Sequence, residues 1–308
     1  MDSIGTITQY FPFLDEETRT ILDGIMIEAS DYYDFVQRLC DFVLNNDSPV
    51  MVVYFAIHHC MLSFDHKPID MIREKYGHHQ ILGPNLYYIS AHQGNFEDIK
   101  KVHEIADLIL ATQPEDWIAL EMNFMKFEAD LRSYPKIMYQ TSTVNRIREL
   151  IDSDPRFGFY EIVLNDHLAI RSQVDGDTDE RLRCIDTGIE YAEKFDDQLR
   201  LAHLLIQKGS IYMNFDREKS REVFEKAYSI VENSLEIPSN YARIVYYLSL
   251  LDAVRGEFDS AINGCLKAVN ILERAGLDSG NPASFLAIFY NVIGEPESGL
   301  EWGRMTED

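Results

Sequence analysis

Between Asp15 and Arg304, stretches whose apolar residues recur every three or four positions alternate with short breaks rich in Gly, Pro, Asn and Asp. That alternation predicts amphipathic helices joined by tight turns. It is clearest over Tyr241–Arg274. There Val245, Leu248, Ser249 and Asp252 fall at offsets 0, 3, 4 and 7, the face that a partner helix would cover. After the turn Arg255-Gly256-Glu257-Phe258-Asp259, the small residues Ala261, Cys265 and Ala268 share one face and permit close helix approach. Gly256 stands where the first helix must stop, and Asp259 and Ser260 can satisfy free amides at the start of the second.

This hairpin resembles the tetratricopeptide repeat, with its Trp, Leu-Gly and Tyr face on helix A and a small, aromatic, small trio on helix B. Leu248-Ser249 stands at the Leu-Gly pair and Ala261, Cys265 and Ala268 at the trio; Val245 replaces Trp and Asp252 replaces Tyr, a departure read as drift. The pattern recurs. Ile99, His103 and Ala106 take trio positions after a helix A over Asn85–His92 and the turn Gln93-Gly94-Asn95-Phe96-Glu97. Trp117, Leu120 and Phe124 open the next unit, whose helix B packs through Ile147 and Leu150. A third unit has Ile162, Leu164 and Leu168, a polar loop Gln173–Asp177, then Ile185 and Gly188. The fourth carries Gly209 and Tyr212, then Ser220, Phe224 and Ala227, the trio nearest the family pattern. A sixth starts at Pro282 and repeats the turn at Gly294. Ala227 to Ala268 spans 41 residues and Gly256 to Gly294 spans 38, against about 34 in the family. The resemblance implies an all-α fold, a right-handed superhelical array of antiparallel helix pairs, or tetratricopeptide-like α-solenoid. Residues 1–79 read as a divergent helical amino-terminal cap and 80–308 as the array, about six units with the last truncated.

Composition narrows the partner. With 28 Lys and Arg against 52 Asp and Glu the net charge is −24, which disfavours nucleic acid and anionic membranes and suits a basic protein or peptide where it does more than keep the chain soluble. Cys40, Cys60, Cys184 and Cys265 are scattered on apolar faces and read as buried thiols of a reducing cytoplasm. The start Met1-Asp-Ser-Ile-Gly lacks the pattern of a signal peptide, and the most apolar run, Pro49–Phe64, is too short to span a membrane and carries His58 and His59. The expected location is cytoplasmic.

Candidate chemistry is sparse. His58, His59, Cys60, His66, His78 and His79 offer no zinc spacing. Asp175-Gly176-Asp177-Thr178-Asp179 begins like a calcium loop but has Glu180 at the sixth position and Asp186 at the twelfth, where Gly and Glu are needed. No phosphate loop, nucleophile elbow or zinc-protease motif occurs, so neither catalysis nor a cofactor or metal is expected. The family resemblance implies that A-helix inner faces line a groove for a peptide or helix. Its register places Tyr88, His92, Met122, Lys126, Asp166, His203, Ser210, Asn214, Arg243, Tyr246 and Leu250 along that groove. Lys208 and Asn214 match part of the family's carboxylate clamp, but Ser210 stands where an Asn would be wanted. The expected function is a scaffold binding a protein, a peptide or a copy of itself. The alternatives are a regulatory sensor for a small ligand or signalling peptide, and a metal-dependent enzyme using the amino-terminal His region.

Overall fold

The computed structural model describes residues 15–30, 32–63, 67–79, 82, 96–114, 116–132, 141–232, 238–274 and 276–304. Among these the regular elements are all helical. The first half holds α1 (Glu16–Glu28), α2 (Tyr32–Asn45), α3 (Val50–Ser63), α4 (Lys67–Tyr76), α5 (Phe96–Ala111), α6 (Asp116–Arg132) and α7 (Thr141–Ser153). A 3-10 turn (Pro155–Phe159) leads into α8 (Tyr160–Asp175) and α9 (Thr178–Lys194). Then come α10 (Gln198–Tyr212), α11 (Arg217–Val231), α12 (Pro238–Val254), α13 (Phe258–Arg274), α14 (Gly280–Val292) and α15 (Pro296–Arg304). Phe195 closes one compact unit and Asp196 opens the other. Residues 83–95, which hold the expected helix A over Asn85–His92 and adjoin the expected cap boundary, lie outside the described residues.

Helix starts explain part of the acidity. Asp15, Asp177, Asp197 and Asp216 each accept a hydrogen bond from the backbone N–H three residues on, at 2.7, 2.9, 2.8 and 3.0 Å, which satisfies amides that the helix itself leaves free. Helix ends are equally regular. At Gly256, with φ +83°, the following Glu257 N–H returns to the Asp252 carbonyl at 3.0 Å. At Gly294, with φ +87°, Glu295 N–H returns to Tyr290. Both are the left-handed stop that favours Gly. The polar loop expected over Gln173–Asp177 is tighter than that, because α8 continues through Asp175 and only Gly176 and Asp177 separate it from α9.

Consecutive helices pack as hairpins, α8 on α9, α10 on α11, α12 on α13 and α14 on α15. The small residues do the expected work. Gly209 lets α10 approach so closely that a Cβ there would lie 2.7 Å from the Phe224 ring. On the next hairpin Ser249, its hydroxyl turned back to the Val245 carbonyl at 2.7 Å, abuts Gly264. Ala261, Cys265 and Ala268 are all fully buried.

Asp252 is not drift. One carboxylate oxygen accepts from Arg221 on α11 and the other from the Ser260 hydroxyl on α13, at 2.7 Å for the latter. A short carboxylate thus joins three helices where the family's Tyr would stand. Arg255 adds a second link, its Nη2 lying 2.8 Å from both oxygens of Glu218.

In the other unit α6 is buried on several sides. Met122, Met125 and Ala129 meet Val102, Ala106 and Ile109 of α5, while Phe124 stacks on Tyr160 of α8 with ring centroids 5.4 Å apart. Between these apolar contacts runs a polar seam. The Tyr160 hydroxyl donates to Glu121. His167 Nε2 lies 2.5 Å from Glu128 and His103 Nε2 lies 3.0 Å from Asp130.

Candidate functional site

The carboxyl-terminal unit carries an open apolar cleft of about 370 Å³. Its walls come from the last turns of successive A helices. Met213 follows the end of α10; Leu250, Ala253 and Val254 finish α12; Phe285, Ile288, Phe289 and Val292 finish α14. Phe258, the first residue of α13, forms the floor with Phe289, their rings 6.1 Å apart and edge to face. The sequence dictates this placement. Phe285, Ile288, Phe289 and Val292 stand at offsets 0, 3, 4 and 7, one continuous face, while Ala283 and Leu286 point into the core between α13 and α14. α14 is therefore apolar on two faces: Ala283 and Leu286 serve the core against α13, Phe289 is shared between that core and the cleft, and Ile288 and Val292 are left for the cleft.

Exposure distinguishes the cleft from ordinary core. Val254, Ile288 and Val292 are 54%, 50% and 58% exposed. Apolar side chains gathered this way around one concavity are the usual mark of a binding surface. The cleft also sits where α12 and α14 end, and the negative ends of the helix dipoles give such a site a partial negative charge.

The expected groove residues divide. Tyr88 and His92 lie outside the described residues. Leu250 lines the cleft. Tyr246, one turn earlier on α12, leans edge to face on Phe285 at 5.6 Å and is half-buried in the α12–α14 core. Burial, with Tyr247 and Cys265 nearby, pushes its phenol up to about 12. Arg243, a further turn back, is half-buried. On α10, which packs against α12, the His203 ring nitrogen meets the Gln207 amide at 2.9 Å and the Ser210 hydroxyl donates to the Gln207 carbonyl at 2.7 Å. Asn214 is exposed just past the helix end, and its neighbour Met213 is the residue that reaches the cleft.

In the amino-terminal unit the groove assignment needs correction. Met122 is fully buried against α5 and faces no solvent, because α6 is apolar on more than one side and its register does not single out a groove face. Lys126 is tied to Asp107 of α5 at 2.6 Å, and Asp166 is half-buried on α8. Met213, Ala253, Val254, Phe258 and the four α14 residues were missed. The two-faced stripe of α14 was the signal for the latter.

Among the described residues no cluster of three or more His, Cys, Asp or Glu is arranged to hold a metal ion. His59 is buried, its ring against Phe35 and Phe55. No described helix is long and apolar enough to cross a membrane.

No protein family and no curated protein matches the sequence. Solved structures do match the fold. Human IFIT1, solved as a dimer with PPP-AAAA, superposes with a TM-score of 0.51 at 13% identity, over 89% of this chain and 68% of that one. A Signal Transduction ATPase with Numerous Domains protein with a tetratricopeptide repeat sensor, from Pyrococcus horikoshii, gives 0.53 at 14% identity. The match covers 90% of this chain and 46% of that one, so this chain spans under half of its length. The fold is thus an all-α solenoid of the tetratricopeptide type, as the degenerate repeats imply.

Proposed function

We propose that the chain is a non-catalytic interaction scaffold whose carboxyl-terminal cleft holds the apolar face of an amphipathic, basic segment of a protein partner. The observation that carries this reading is the exposed apolar wall of Val254, Ile288 and Val292 around a concavity bounded by three A-helix ends. Its apolar lining suits side chains spaced along one face of a helix or alternating along an extended strand. The helix carboxyl termini and the net charge of −24 favour Lys or Arg flanking those anchors. The same charge opposes carrying over the PPP-AAAA ligand of the IFIT1 structure, since phosphate recognition rewards clustered basic side chains.

The test follows from exposure. Ile288→Asp with Val292→Asp places two carboxylates on a wall whose side chains are half in solvent, so the fold should survive. An array of amphipathic peptides, with and without flanking Lys and Arg, is probed with the purified chain. The wild type should retain basic amphipathic members and the double variant should lose at least about tenfold in affinity, roughly 1.4 kcal/mol. Equal retention by both proteins would move the site elsewhere. Concentration-dependent dimerisation abolished by the same variant would make a second copy the occupant.

A further inference from the structure

The amino-terminal unit brings together two residues that are 20 positions apart in sequence. Cys40 on α2 and Cys60 on α3 have their sulfur atoms 3.2 Å apart, and both are buried. Neither is in a disulfide in this structure. We infer that Cys40 and Cys60 are a site of reversible covalent modification, forming an intramolecular disulfide that staples α2 to α3.

The geometry supports it on three counts. Sulfur atoms bonded in a disulfide sit about 2.05 Å apart, so about 1.2 Å of closure separates the thiols from the bond. The two helices that carry them also meet through Phe35 on α2 and the His59 ring on α3, 5.6 Å apart and edge to face. The remaining cysteines meet other groups instead, Cys184 the Glu180 carboxylate and Cys265 the Ser249 hydroxyl.

The reaction balances with a small-molecule disulfide as oxidant. One thiolate of the pair attacks a sulfur of the oxidant, forming a mixed disulfide and releasing one small thiolate. The second thiolate attacks the protein sulfur of that mixed disulfide, closing the Cys40–Cys60 bond and releasing the other. The two cysteine protons end on the two released thiols; the cysteines are oxidised and the oxidant is reduced. Because both thiols are buried, exchange proceeds through opening of the α2–α3 pair or during folding, before the helices close.

The test is a titration of the full chain in glutathione buffers of increasing oxidised fraction, run on native protein and on protein refolded from denaturant in the same buffers. Each sample is acid-quenched, alkylated and digested, and its intact mass and peptides are measured. The expected result is a chain about 2 Da lighter that takes up two alkyl groups in place of four, with a reducible peptide pair containing Cys40 and Cys60. The oxidised chain should melt several degrees higher than the reduced one, a difference absent from Cys60→Ala. Uptake of four alkyl groups at every buffer ratio, in both native and refolded samples, would overturn the inference. So would glutathione held on one cysteine without the cross-link.

Discussion

Replacing Gly209 by Ala sets two opposing effects against each other. In an exposed helix the change adds stability, about 1 kcal/mol, because Ala restricts the unfolded chain and favours the helix. At Gly209 the new methyl would lie 2.7–2.9 Å from three atoms of the Phe224 ring, inside any ordinary contact distance. The ring has little room to retreat, since Phe224 is fully buried and stacks on Tyr247 at 5.1 Å. The Gly209 carbonyl also receives the buried Ser220 hydroxyl at 2.8 Å, which resists a backbone shift. Overpacking of this kind costs about 1–3 kcal/mol. With three ring atoms engaged the upper part of that range applies, so the net loss should be about 1–2 kcal/mol after the helix-propensity gain. That corresponds to a fall of ~2–8 °C in melting temperature. Far-UV circular dichroism during urea and thermal unfolding reads it. Gly24→Ala is the control, because Gly24 is exposed on α1 with no atom within 4 Å of the new methyl, and it should stabilise. Adding Phe224→Leu to Gly209→Ala should make the pair less damaging than the sum of the two single changes. A Gly209→Ala protein more stable than wild type, or strict additivity with Phe224→Leu, would refute the close-packing account.

Asp252→Ala should cost about 1–3 kcal/mol by removing an acceptor shared by Arg221 and Ser260 and leaving a half-buried guanidinium without it; denaturant unfolding checks this, and a neutral result would return Asp252 to drift. His167 supplies a pH signature. Its burial opposes the charged ring, but the Glu128 carboxylate, the Asp166 charge and the Val163 carbonyl together raise its pKa above the ordinary value. Both ring nitrogens face acceptors, Glu128 at 2.5 Å and the Val163 carbonyl at 2.6 Å, so only the protonated ring satisfies both. A raised folded pKa makes this stabilisation complete below the unfolded value of about 6.5 and lost as pH rises through the folded one. The stability gap between wild type and His167→Gln should therefore narrow as pH rises above the unfolded value and through the raised folded one, and a gap that widens would sink the assignment.

Helix positions were legible because they depend on neighbours within one turn. Period and Gly stops marked the fifth and sixth hairpins, although α13 begins at Phe258, ahead of the Asp259 and Ser260 expected to cap it, and Ser260 bonds Asp252 instead. Relations between distant positions were not legible. The partner of Asp252 lies 31 residues away at Arg221, and nothing local to Asp252 reports it. The same holds for Cys40 and Cys60, which looked scattered. Met122 failed for a different reason: on a helix whose acidic residues Glu121 and Asp130 are themselves buried, polarity no longer marks the outside. The cleft was half legible. Leu250 followed from the family register, whereas Ile288 and Val292 needed the observation that α14 has an apolar face beyond the one packed on α13.

Adjacent hairpins of the carboxyl-terminal unit are coupled by different mixtures of chemistry. The joint between α11 and α12 adds the ion pairs Arg221–Asp252 and Arg255–Glu218 to the ring contacts Phe224–Tyr247 and Tyr228–Tyr241, while that between α13 and α14 holds the apolar side chains Ile262, Cys265, Leu286 and Phe289. In a linear array, nearest-neighbour joints set how far unfolding at one hairpin propagates to the next. Salt screens the exposed members of the first joint, and excluded salts such as sulfate strengthen the second. Ionic composition therefore tilts the balance between the two joints: simple salt loosens only the exposed Arg255–Glu218 share of the first, whereas sulfate tightens the apolar contacts of both.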